Sequence, residues 1–179
     1  MKFLIVSDIH GSLDSAEKIE KLYREGSFDK ILLLGDILYH GPRNDLPSSY
    51  NPKEVIKIMN KLSEEIVAVR GNCEAEVDQM VLTFPCMSTT AEVFADGYEF
   101  ILSHGHIYNE DNLPPGSGAF LYGHTHLPVA KKIDSRVVFN PGSITIPKGG
   151  FERSYGVYEN GELFVKALQD NHIMMSVKL

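Results

Sequence analysis

The sequence predicts an α/β domain, and two patterns carry that prediction. In the first hundred residues, short apolar runs alternate with helical periodicity, in the order strand–helix–strand–helix–strand. From about Val93 onward, strand-like runs follow one another through short turns, as in a mostly antiparallel sheet. The length of 179 residues fits one domain spanning 1–179, with no stretch that reads as a linker.

The elements follow in order. Phe3 to Val6 is apolar without alternation, the pattern of a strand buried on both faces. Leu13, Ala16, Ile19 and Leu22 recur every third residue with Tyr23 beside them, which predicts a helix closed by Gly26. Ile31–Leu34 is a second buried strand. Asn51 then caps a second helix, with Pro52 in its first turn, Glu54 completing a capping box, and an apolar face of Val55, Ile56, Met59 and Leu62. Ile66–Val69 is the third strand. The later half predicts strands at 98–103, 119–122, 128–133, 136–139, 154–159 and 162–168, the last two joined by Asn160-Gly161, a strong hairpin signal. The 39–50 and 107–118 segments are long and rich in turn residues, which makes them candidate functional loops.

Composition narrows the function. Apolar residues are 43% and charged residues 23%, ordinary for a globular chain. A formal net charge of −7 argues against a general nucleic-acid or anionic-membrane binder. No apolar run reaches the ~18 residues needed to cross a bilayer, and the N-terminus meets Asp8 too early for a secretory signal. Cys73 and Cys86 are too few for a disulfide framework. A cytoplasmic protein with free thiols is expected.

The chemistry lies just after each apolar run. The first leads to Asp8 and His10, the second to Gly35-Asp36, and the third to Arg70-Gly71-Asn72. Phe100–Leu102 leads to Ser103-His104, and Phe120–Tyr122 leads to Gly123-His124-Thr125-His126. In open α/β sheets, ligands bind beyond the carboxyl ends of the strands. Asp8, His10, Asp36, Asn72, His104, His124 and His126 would therefore converge on one pocket. Carboxylate, amide and imidazole donors without thiolate suit divalent manganese, iron or zinc. A lone Asp after a strand is more often a turn or cap, and a lone His more often a satisfied core residue. The repetition at five strand ends outweighs those readings. Seven ligands are too many for one tetrahedral centre and fit two metals sharing a bridging carboxylate.

These blocks resemble the calcineurin-like metallophosphoesterases, in matching order, over residues 2 to about 147. The stretches Leu38-Tyr39-His40-Gly41-Pro42-Arg43-Asn44, Gly71-Asn72-Cys73-Glu74 and Asn140-Pro141-Gly142-Ser143 are similar to the YfcE-like phosphodiesterase subgroup. The resemblance implies a four-layer α/β/β/α sandwich of two mixed sheets flanked by helices. It implies two divalent metals, manganese first, with zinc, iron, nickel or magnesium as alternatives. Asp8, His10 and His126 would hold one; Asn72, His104 and His124 the other; Asp36 would bridge. The implied function is hydrolysis of phosphate diesters by a hydroxide that bridges the two metals. A small phosphorylated substrate is the expected partner.

One departure from the family pattern stands at Cys73, where many members carry a histidine. A thiol is a poorer acid than imidazolium at neutral pH, so leaving groups that need little protonation, such as aryl oxides, are expected. The alternative is a small space-filling residue. Asp36, Asn72 and Cys73 are the candidate catalytic residues; Arg43 and Lys148 are candidate phosphate contacts, each weighed against solvated surface. Arg70 reads as a phosphate contact or a structural pair, His40 and His106 as supports of the ligands, and His172 as structural. The competing functions are a phosphomonoesterase on the same site and a non-catalytic scaffold like the retromer subunit. A nuclease is disfavoured because no basic, aromatic-rich track is present. An exposed strand edge would permit a homo-oligomer.

Overall fold

The computed structural model describes residues Met1–Leu179. It contains two mixed sheets packed face to face. In the first, β1 (Lys2–Val6) pairs parallel with β2 (Lys30–Leu33), which pairs parallel with β3 (Ile66–Ala68). The connections are α1 (Leu13–Gly26) and α2 (Pro52–Lys61). A third, one-turn helix, α3 (Glu76–Val81), follows β3. In the second sheet, the order is β4 (Thr90–Ala95), β5 (Tyr98–Ser103), β6 (Ala119–Leu121), β8 (Arg136–Pro141) and β7 (Pro128–Ile133). The last three strands, β9 (Ser154–Glu159), β10 (Glu162–Ala167) and β11 (Ile173–Lys178), return to the first sheet, with β9 antiparallel to β1.

The unalternating runs are explained by burial on both faces. Leu4, Val6, Ile31 and Leu33 pack toward Ile19 of α1 and Val55 and Met59 of α2. Their neighbours Phe3, Ile5, Leu32 and Leu34 pack between the sheets against Phe100, Leu102, Leu121 and Phe139. Phe3 meets Phe100 edge to face, with ring centroids 5.8 Å apart. All three helices lie on the first-sheet side. The outer face of the second sheet carries Phe120, Tyr122 and Val138, covered by Tyr108 and Leu113 of the 107–118 segment. Arg136 pins that segment through the carbonyls of Gly118 (2.6 Å) and Pro114 (2.7 Å). The fourth layer is thus this ordered loop.

The structure corrects several local expectations. The second half is mostly antiparallel as expected, but β5–β6 and β6–β8 are parallel pairs. Its strands also divide between the two sheets. β4 and β11 have no counterpart among the expected strands: both are edge strands, β4 with one buried residue and β11 with none. The left-handed residue ending α1 is Ser27, not Gly26. α2 begins after Asn51 as expected, but the Asn51 side chain makes no capping bond, and Glu54 pairs instead with Lys57 at 2.7 Å. The hairpin at Asn160-Gly161 forms as expected, with both residues at positive φ.

Candidate metal centre

Five parallel-paired strands bring the expected ligands to one end of the sandwich. β1, β2 and β3 lead to Asp8, Asp36 and Asn72; β5 and β6 lead to His104, His124 and His126. Hydrogen bonds between the sheets set their relative height. His104 Nδ1 donates to the Leu34 carbonyl (2.6 Å), and the His124 amide donates to Asp8 Oδ2 (3.2 Å). Two buried polar residues hold the Asp8 and His124 loops from behind. Ser143 Oγ donates to the Asp8 carbonyl (3.1 Å), and Asn140 Nδ2 to that of Gly123 (2.8 Å).

The backbone here is unusual. Asp8, His10, Asp36, His124 and His126 all have φ between 50° and 65°, the left-handed region that non-glycine residues seldom enter. Such conformations concentrate where surrounding structure over-determines them. Two glycines permit the close approach. A Cβ on Gly35 (φ +91°) would lie 2.6 Å from the Gly71 nitrogen, and one on Gly123 would collide with Ser7 Oγ.

The imidazoles are aimed by carbonyls. His10 Nδ1 donates to Tyr39 (2.8 Å) and His126 Nδ1 to Ile146 (2.5 Å), as His104 does to Leu34. With the proton on Nδ1, each Nε2 turns a lone pair into the centre. His10 Nε2 and His126 Nε2 are then 3.2 Å apart, and His126 Nε2 is 3.2 Å from Asp8 Oδ1. His104 Nε2 lies 3.2 Å from Asn72 Oδ1 and 3.4 Å from Asp36 Oδ2. On the His10–His126–Asp8 side acceptors face acceptors, and Asp8 Oδ1 is buried without a hydrogen-bond partner. Buried lone pairs at this spacing need positive charge between them. The donor set therefore fits divalent cations.

The ligand atoms fall into overlapping groups. Asp8, His10 and His126 form one, and Asp8, Asp36 and His104 another, each with its atoms within 4.8 Å. Asp36 Oδ2 is 3.8 Å from His10 Nε2 and 3.4 Å from His104 Nε2, a position between both halves. The His124 ring stands 5.1 Å from that of His104. Burial and the charge of His104 push His124 down to about 4, so it is a neutral imidazole. Burial works against ionisation of Asp36, but hydrogen bonding and charge from His104 overcome it and hold the carboxyl below its usual range. Burial also works against charging His104, yet Asp36 and Asp8 push it up to about 9. A proton on His104 thus competes with a cation for the same lone pair.

Cys73 joins a third group with His10 and Asp36. Its amide donates to Asp36 Oδ1 (2.9 Å), and burial followed by the Asp36 charge drives the thiol pKa up, so the sulfur stays protonated. Arg43 and Lys148 are exposed, and Arg43 forms no ion pair. Arg70 is half-buried, and its guanidinium donates to the Glu74 carbonyl (3.3 Å). His106 is exposed, its ring 5.4 Å from that of His104. His172 is exposed and pairs with Asp170 at 2.7 Å.

Sequence reasoning passed over Glu74. Its carboxylate is 3% exposed and accepts the amides of Asp36 (2.9 Å), Ile37 (2.7 Å) and Gly71 (2.5 Å). It ties the Asp36 loop to the Asn72 loop. Burial and the neighbouring Asp36 push it up to about 7, against the pull of those amides. An acidic residue two places after Asn72 was the available signal, and a carboxylate so close to an apolar strand reads as surface when only sequence is known.

Residues 1–162 match the calcineurin-like phosphoesterase superfamily domain. The phosphodiesterase YfcE of Escherichia coli K12 is 43% identical over 181 residues, covering 100% of this chain and 98% of its own. A solved structure of the Escherichia coli phosphoesterase YfcE superposes with a TM-score of 0.97 at 43% identity, over 99% of both chains. Vps29 of Entamoeba histolytica, solved in complex with zinc, shares the fold at a TM-score of 0.63 and 19% identity, over 99% of each chain. With its strand-end carboxylates, amide and imidazoles on two packed mixed sheets, the chain belongs to the calcineurin-like phosphoesterase superfamily.

Proposed function

We propose that this chain is a metal-dependent phosphodiesterase that hydrolyses small phosphate diesters. Asp8, His10 and His126 hold one divalent cation, Asn72, His104 and His124 hold a second, and Asp36 is shared. The observation that carries the reading is the buried, partnerless Asp8 Oδ1 facing the lone pair of His126 at 3.2 Å. Full-length identity of 43% to a phosphodiesterase supports the diester as substrate class. A scaffold role is disfavoured because all seven ligand positions are filled.

Bound cations would supply Lewis acidity: activation of water as the nucleophile and neutralisation of charge on the phosphoryl oxygens. The protein's own part is positioning. The three carbonyl-tethered imidazoles keep their Nε2 atoms inward, so no rotation is needed before binding. Glu74 fixes the spacing of Asp36 and Asn72 by holding both loops. Cys73, protonated and beside Asp36, is too weak an acid to stand in for an imidazolium, which favours aryl leaving groups that need no protonation. Nitrogen and oxygen ligands without thiolate suit manganese, iron or zinc, and manganese is the first choice on the family resemblance alone. The free thiols Cys73 and Cys86 suit a cytoplasmic location, and no helix is long and apolar enough to cross a membrane.

Metal analysis combined with a diester assay, on wild type and Asp36→Asn, tests the reading. The expected result is about two metals per wild-type chain and loss of both occupancy and turnover in the variant, by about 100-fold or more in rate. An Asp36→Asn protein with full activity would overturn the assignment.

A further inference from the structure

An apolar groove of about 440 Å³ opens beside the metal centre, lined by Leu38, Tyr39, Tyr50, Ile56, Cys73 and Val77. Two of its walls are also parts of the centre. The Cys73 sulfur lies within 4.8 Å of the ligand atoms of His10 and Asp36, and the Tyr39 carbonyl receives the His10 proton at 2.8 Å. A group attached to a phosphorus at the centre would need to extend only past Cys73 to enter it. The tyrosine walls are held in place. The His40 ring stands edge-on to Tyr39 at 4.7 Å and to Tyr50 at 5.5 Å, fixing one relative to the other. The charged residues at the groove, Lys53 and Asp78, are of opposite sign and leave it without net charge.

Resting on the phosphodiesterase reading, we propose that this groove receives the second, non-leaving substituent of the diester and selects a neutral aromatic one. A diester differs from a monoester in carrying that substituent, and an apolar space next to a charged centre is where it can be buried. Aromatic walls favour a flat aromatic group by offset or edge contacts. Absence of net charge disfavours an ionised substituent. In the reaction, the bond from phosphorus to the leaving oxygen breaks, a water oxygen takes its place, and a proton is released to solvent. The substituent in the groove stays on the monoester product.

Two diesters with one leaving group test this. Bis(para-nitrophenyl) phosphate and methyl para-nitrophenyl phosphate differ only in the retained substituent. The wild-type, manganese-loaded protein should show a KM roughly tenfold lower for the bis-aryl diester. Val77→Asp, at a residue 60% exposed, should raise the bis-aryl KM until most of that preference is gone. Met80→Asp adds the same charge to the same helix at an 83% exposed residue outside the groove, and should keep the preference. Phenyl phosphate should compete better than methyl phosphate against wild type and lose that advantage in Val77→Asp. Equal KM values in wild type, or an equal rise for both diesters in Val77→Asp, would overturn the proposal. A wild-type protein inert toward both diesters would instead overturn the phosphodiesterase reading itself, so the two failures are distinguishable.

Discussion

The two ends of the β1 strand use the same backbone conformation for different purposes. At the end where β1 begins, Asp96-Gly97 and Asn160-Gly161 turn hairpins with φ between 53° and 82°. There each left-handed Asp or Asn is followed by a glycine, so the turn itself accounts for the conformation. At the other end, Asp8, His10, Asp36, His124 and His126 adopt the same region, and what holds them is not a turn. Carbonyls, buried amides and the Glu74 carboxylate clamp them from several sides. Asp and His are also among the non-glycine types that tolerate this conformation best. The residue types that ligate a cation are thus the ones that can turn the chain at a strand end.

The contrast can be broken most strongly at glycine. Gly35→Ala should fail at the site end, because its Cβ would lie 2.6 Å from the Gly71 nitrogen and 3.0 Å from His104 Nδ1. Gly97 has a similar φ of +82°, but nothing lies within 4 Å of its would-be Cβ, so Gly97→Ala should cost only about 1 kcal/mol. Urea denaturation of both variants checks this; equal losses would mean that the clamp adds nothing to the backbone cost.

A smaller effect is expected at the brace. Glu74→Gln turns an amide NH₂ toward backbone donors, leaving at least one of them unsatisfied. Metal affinity should fall about 10- to 100-fold while the fold persists. Titration calorimetry with manganese and circular dichroism separate the two outcomes.

His124→Gly sharpens the comparison differently. Glycine relieves the φ of +65°, so metal-free stability should hold or rise by up to about 1 kcal/mol, while diester turnover collapses. A variant both inactive and much less stable would show that His124 is a packing residue.

The smallest effect belongs to the hairpin end. The Met1 amino group and the Tyr158 hydroxyl hold the Asp96 carboxyl below its ordinary value of 3.8. A depressed carboxyl stabilises the fold above that ordinary value and loses the contribution as pH falls through its folded value. Asp96→Asn should therefore lower the urea midpoint slightly at neutral pH and converge with wild type in acid. An unchanged gap at low pH would discount the pair.

Much of the centre was legible because strand ends are legible. An apolar run that stops at Asp, Asn or His marks both an element boundary and a candidate ligand, and five such boundaries in one chain point to one place. Glu74, Asn140 and Ser143 were not legible as supports, since their partners are backbone groups 3 to 135 residues away. The apolar groove was equally hidden: Tyr39 and Tyr50 lie in the loop before α2, while Cys73 and Val77 come from the other side of β3. Arg43 and Lys148 illustrate the converse, as attractive residues in loops whose side chains remain exposed.

By itself, the sequence determined the local choices: which buried apolar runs are strands, where α1 and α2 start, where the Asn160-Gly161 hairpin turns, and which donors stand at strand ends. These follow from periodicity and short-range backbone preference, which act within a few residues. Only the tertiary structure decided that β9, β10 and β11 rejoin β1 while β4 through β8 form a separate sheet, and that a loop covers the latter's outer face. Strand partnership depends on which apolar faces are left to bury once the chain has collapsed, and no short window of residues contains that information.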